Sequence, residues 1–186
     1  MMSSMSVLSA EDADLFFELF LSLINFTNRK RNIDDTLGVV EAPKQLPPKA
    51  GMKIADVLWS NTGLIDEYVA EHTTSTSTEH LEILMSWKSC IRGRFFLERH
   101  LKSGSILIDS KDNVYRVTGI TTSFEEMFIG CKLPIIITAT LLPFKNVIIT
   151  DGLLTSDTTI FGTGYREALK VIYMDAKETG TIRRRL

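Results

Sequence analysis

Cysteine is scarce in this sequence of 186 residues: only Cys90 and Cys131 occur, and neither has a second Cys or a His at zinc-site spacing. A disulfide scaffold and a structural metal site are therefore not expected. Two reduced thiols are, with no metal and no cofactor. Long apolar runs are also missing. The stretch after Asp14 is interrupted by Glu18 and Asn25, and Met1 to Ser6 carries no basic region, so neither a membrane span nor a signal peptide is expected and a cytoplasmic site is the default. No sign of charge dominates: 21 Lys and Arg stand against 23 Asp and Glu, a net charge of -2. The whole-protein field therefore does not draw in nucleic acid or an anionic membrane, and only a local basic patch could.

What is present is an ordinary globular composition, 44% hydrophobic and 24% charged. From Ser9 the stretch SAEDADLFFELFLSLINFTNRKR reads as a helix with acids in its first turn and Arg29, Lys30 and Arg31 in its last. Leu15, Phe16, Leu19, Phe20 and Leu23 form a stripe, and Phe17, Leu21 and Phe26 widen it beyond one face. Such girth needs several neighbours, and a homodimer through Leu15, Phe16, Leu19, Phe20 and Leu23 is one way to supply them. Pro43, Pro47 and Pro48 then mark an extended linker. Two short helices follow between Met52 and His72, broken near Asn61 to Gly63.

The 3.6-residue period can be carried on from Glu79 to Lys102 as a long helix, with Lys88, Arg92, Arg99 and Lys102 on one face. After Gly104 the period becomes 2. Ser105–Asp109 and Val114–Ile120 flank a turn at Ser110-Lys111-Asp112-Asn113, and Ser123 caps a helical turn at 124–128. Leu133–Leu142, Val147–Leu154 and Thr158–Phe161 are further strands, with a bulge expected at Asp151-Gly152. Tyr165 to Ala176 patterns a last helix over one face of the sheet. The expected fold class is α+β: a helical first half, a five-stranded antiparallel sheet or open barrel, and a C-terminal helix packed on it. As domains this gives residues 1–42, a linker at 43–51, and 52–186, divided into helices to 102, sheet 105–162 and helix 164–179.

The segments WKSCIRGRFFLERHLKSGSILID, VYRVTGI, LPIIITATLLPFKNVIITDGLL and IFGTG resemble a family of uncharacterised bacterial proteins. The resemblance covers about the last hundred residues. It implies no activity. Some similar proteins carry a short Cys-rich metal-binding motif at the C-terminus. Here the chain closes on Thr181-Ile182-Arg183-Arg184-Arg185-Leu186 without Cys, so no metal role carries over.

No constellation of residues spells out a reaction. The basic face Lys88, Arg92, Arg99 and Lys102 is the best-organised charged feature and suits phosphate or nucleic-acid contact, although the acidic balance of the chain leans against nucleic acid as a partner. Gly162 and Gly164, before the last helix, could present backbone N–H groups to an anion. They lack the third Gly of a dinucleotide fingerprint and the Lys of a P-loop. Asp151, with Asp109, Asp112 and Asp157, could serve a metal-dependent hydrolase, but Asp at turns more often bonds its own backbone. The reading that results leans away from an enzyme and toward an interaction or oligomerisation module, with phosphate-ligand binding as the alternative and hydrolysis through Asp151 behind it.

Overall fold

The computed structural model of the chain describes residues 6–157 and 159–186. Met1 to Met5 and Thr158, the first residue of one expected strand, lie outside that set. The protein is α+β, with six helices and a six-stranded mixed sheet among the described residues. It divides into two compact units, residues 10–90 and residues 6–9 with 91–186. No helix among the described residues is long and apolar enough to cross a membrane.

The first unit is helical. Helix α1 (Ala10–Arg31) carries Glu11 and Asp12 in its first turn and three basic residues in its last, so its charges complement the helix dipole at both ends. Asn32, at φ 50°, ends it in the left-handed conformation that terminates many helices. Helices α2 (Pro48–Ser60), α3 (Gly63–His72) and α4 (Thr78–Ser86) follow, the last capped by Ser77, whose hydroxyl accepts from the His80 N–H at 3.3 Å. Phe16, Phe20, Trp59 and Trp87 make an aromatic core. Phe16 and Phe20 stack at 5.3 Å, and Trp87 lies 5.7 Å from Phe16 and 6.4 Å from Trp59.

Two expectations for this unit need correcting. Phe16, Leu19, Phe20 and Leu23 are buried by the chain's own side chains, and Leu15 is half-buried, so the stripe proposed for a homodimer is not an open face. The proline-rich stretch at 43–51 is not an extended linker either: it holds a single 3-10 turn and then α2, which starts on Pro48 because the first helical position needs no N–H. The segment before it is tied down by α1. Asn25 exchanges hydrogen bonds with both backbone groups of Val40 (2.8 and 2.9 Å), and Asn28 does the same with Asp34 (2.9 and 2.8 Å).

The second unit is built on strands β1 (Ile91–Leu101), β2 (Gly104–Ile108), β3 (Val114–Val117), β4 (Ile135–Phe144), β5 (Val147–Thr150) and β6 (Thr155–Asp157). The first half of β1 pairs with β4 and the second half with β2, with a bulge between Leu97 and Arg99. Because β3 also meets β5 in parallel and β5 pairs with β4, five strands close into a ring in the order β1-β2-β3-β5-β4-β1, with β6 pairing further along β4 on the same side as β5. The sheet is therefore mixed and six-stranded rather than five-stranded and antiparallel. Phe95, Leu97, Leu107, Tyr115, Val117, Ile137, Leu141 and Ile148 fill the ring. Helix α5 (Phe124–Met127) sits between β3 and β4, capped by Ser123 as expected, and Glu126 reaches back to the Ser123 N–H to complete the cap. Phe124 joins the same core. Helix α6 (Thr163–Glu178) lays Leu169, Tyr173 and Ala176 on the outer face of β2 and β3, against Ile106, Ile108 and Val114.

The long helix expected over 79–102 does not exist. It stops at Ser86, passes through one 3-10 turn at Trp87–Ser89, and the chain is a strand from Ile91. Within 91–97 the burial alternates, with Phe95 and Leu97 inward and Arg92 and Arg94 outward, and Gly93 disfavours helix by about 1 kcal/mol relative to Ala. The deciding factor is β4, which offers a complete ladder from Ile91↔Leu141 to Leu97↔Ile135. Three smaller differences lie downstream. Strand β4 continues through Pro143 to Phe144, and the hairpin turns on Lys145, at φ 50°, with Asn146. The irregularity expected at Asp151-Gly152 is there but is wider than a single-residue bulge: β5 and β6 follow the same side of β4, opposite β1, and residues 151–154 between Leu141↔Thr150 and Thr138↔Thr155 stand against Ala139 and Thr140 alone. No strand is formed by residues 159–161; the pairing falls at 155–157 instead.

Candidate anion-binding site

Strand β3 touches β5 at one register pair only, Val117↔Ile148, so its first residues have a free backbone edge. The C-terminal segment fills it. Helix α6 ends where Gly180, at φ 70°, lets the Thr181 N–H turn back to the Ala176 carbonyl at 2.9 Å. Ile182 then packs beside Leu169 and Tyr173, and Arg183 runs parallel to β3: its N–H donates to the Val114 carbonyl (2.8 Å) and its carbonyl accepts from the Arg116 N–H (2.9 Å). The Arg183 guanidinium lies 5.5 Å over the Tyr115 ring and donates to Asn113 Oδ1 at 2.7 Å. These bonds fix the two residues that follow.

Arg184 and Arg185, with Lys177, Gly180, Ala176 and Ile182, line a cavity of about 500 Å³. Arg116, on β3, does not line it but is next to Arg184, because its N–H bonds the Arg183 carbonyl. The residue is half-buried, with the Ser103 hydroxyl 3.4 Å from its guanidinium as its side-chain partner. Burial, and then the charge of Arg184, hold its pKa below the ordinary arginine value. Among the described residues no carboxylate forms an ion pair with Arg116, Lys177, Arg184 or Arg185. Three cations line one concavity, Arg116 stands next to one of them, Arg184, and together they attract an anion. The C-terminal end of α6 opposes this by about 0.3–1 kcal/mol. Each hydrogen bond to a charged group returns about 1.5–3 kcal/mol, so a ligand making two such bonds overcomes the dipole.

The residues singled out in the sequence are not brought together. Lys88 belongs to the helical unit and is held by Asp66 at 2.7 Å. Arg92 and Lys102 lie at opposite ends of β1, both exposed. Arg99 is committed twice, to the Glu98 carboxylate through two N–H groups and to the Tyr173 ring at 4.0 Å. Arg94 pairs with Asp157 on β6 at 3.2 Å. Gly162 caps α6 and Gly164 lies in its first turn. Both are exposed, and neither is part of the cavity.

The carboxylates are engaged locally. Asp151 is buried and its Oδ1 accepts from the Leu153 N–H at 3.0 Å, so it holds its own turn. Asp109 accepts from the N–H groups of Lys111 and Asn113, the Asn113 side chain and the Tyr115 hydroxyl. Burial pushes the Asp109 pKa up, yet these bonds together leave it below the usual carboxylate value. No group of three or more His, Cys, Asp or Glu among the described residues is placed to hold a metal ion.

Comparison with protein-family models, with curated protein sequences and with solved structures finds no match to this chain.

Proposed function

We propose that this chain is a non-catalytic binding module whose β unit takes an anionic ligand at the end of α6. The observation that carries this reading is Arg116, a half-buried residue with no carboxylate paired to it, whose charged neighbour Arg184 lines a cavity with two more cations. Burying a cation is costly unless it is compensated, and an anion in the cavity is the compensation that the surrounding residues leave to a ligand.

The shape of the barrel supports placing the ligand here rather than on the sheet. Five-stranded, partly open barrels of the OB type bind their ligands on the face of the second and third strands and on the adjoining loops. In this chain that face carries α6, and the β1–β2 turn, with Lys102 and Ser103, lies beside Arg116. The parallel concerns architecture only. The resemblance noted in the sequence remains an expectation without an activity attached.

Thermal unfolding with increasing sulfate, phosphate and citrate at constant ionic strength tests the reading. A ligand that binds the folded state raises the midpoint by mass action, and the expected result is a saturable rise that Arg184→Glu with Arg185→Glu abolishes. A rise that does not saturate, or that persists in the double variant, overturns it.

A further inference from the structure

The anion has a more specific chemistry. We infer that the cavity between the end of α6 and the segment 181–186 receives the oligophosphate group of a small ligand, held by Arg116, Lys177, Arg184 and Arg185. This rests on the anion-binding reading above and narrows it to one class.

The volume, about 500 Å³, falls within the range of small-molecule pockets. Three of the four cations are arginines, whose planar guanidinium groups offer paired N–H donors that match neighbouring phosphate oxygens. The lining cations come from two elements, Lys177 on α6 and Arg184 and Arg185 on the C-terminal segment, and Arg116 on β3 follows behind Arg184, a spread that suits several linked phosphates better than one. The walls are set before any ligand arrives, because Gly180, Ile182 and the Arg183 ladder bonds fix the backbone that bears Arg184 and Arg185.

A single-stranded nucleic acid is disfavoured by where the aromatic rings are. Strand binding combines a basic groove with rings on which bases stack. Here Tyr115 lies under Arg183 and Tyr173 under Arg99, and Tyr165 stacks on Phe161 at 5.0 Å at the other end of α6. The cations are free of carboxylates while the nearby rings are taken.

Isothermal titration of the full chain with tripolyphosphate, orthophosphate, citrate and a thymidine oligonucleotide, at low salt and at about 300 mM KCl, is the test. Tripolyphosphate is expected to bind at least about tenfold tighter than citrate or orthophosphate, and to lose at least about tenfold in Arg184→Glu with Arg185→Glu. Lys44→Glu, an exposed change in the helical unit, should leave the titration unchanged. Both arginines in the double variant are exposed, and circular dichroism verifies that it remains folded. Equal affinity for citrate and tripolyphosphate would overturn the phosphate assignment while leaving anion binding intact. Tighter binding of the oligonucleotide overturns it in favour of a strand. No binding of any anion removes both readings.

Discussion

The guanidinium of Arg99 lies 4.0 Å from the centre of the Tyr173 ring, joining β1 to α6, while two of its N–H groups hold the Glu98 carboxylate. The pair ties the last helix to the strand through an aromatic face and a neutralised charge. Tyr173→Ala should lose about 3–5 kcal/mol in denaturant unfolding, by analogy with other large aromatic truncations. Arg99→Met keeps the aliphatic stem and should lose about 1 kcal/mol. Equal losses would mean that the cation, and not the buried ring, dominates this contact.

Thr27 is fully buried in α1, and its hydroxyl has no hydrogen-bond partner. Replacing it with valine preserves the shape and removes an unsatisfied group. Thr27→Val should therefore stabilise the protein by about 1 kcal/mol. A lower urea midpoint for the variant would contradict this.

His100 is half-buried, with a ring nitrogen 2.8 Å from the Ser105 hydroxyl. Burial lowers its pKa, against a smaller opposing pull from Glu125. The unfolded chain, with an ordinary histidine pKa of about 6.5, thus binds the proton more readily than the folded one. Stability is fully present above that pH and is lost as pH falls through it toward the lower folded value. Urea unfolding at a series of pH values should show the decline between neutral and mildly acidic pH, and His100→Gln should flatten it.

Gly152 has φ 79°, and a Cβ there would meet only Ile120 Cδ1 at 3.5 Å, an ordinary contact. The cost of a side chain is therefore backbone strain and not crowding. Gly152→Val should lose about 1–3 kcal/mol. Gly152→Asn should recover much of that, because asparagine tolerates the left-handed region. Equal losses would point to a steric cause.

The parts of the fold written in local chemistry were legible in the sequence. Helix α1, the β2–β3 hairpin with its turn at Ser110 to Asn113, α5 with its Ser123 cap, and α6 each follow from neighbours a few residues apart. Residues 91–101 were not legible, because Phe95, Leu97 and the flanking arginines fit both a 3.6 and a 2 period. The choice falls to β4, far along the chain. The same long-range dependence hid the site. Arg184 and Arg185 stand out as a run, but nothing near them in sequence points to Arg116, which is brought alongside only when Arg183 pairs with β3.

The double engagement of β1 has a kinetic consequence. Ile91 pairs with Leu141 and Leu101 with Gly104, so one strand belongs both to a hairpin that closes over a two-residue turn and to a seam that waits for a distant partner. Hairpins form in about 1–10 μs, whereas topologies dominated by non-local pairing fold in about milliseconds to seconds. Until β4 arrives, the first half of β1 exposes a row of unpaired backbone groups on a segment rich in phenylalanine. That interval is when the chain is most open to pairing with a copy of itself, and its length is set by the search for β4 rather than by anything β1 itself encodes.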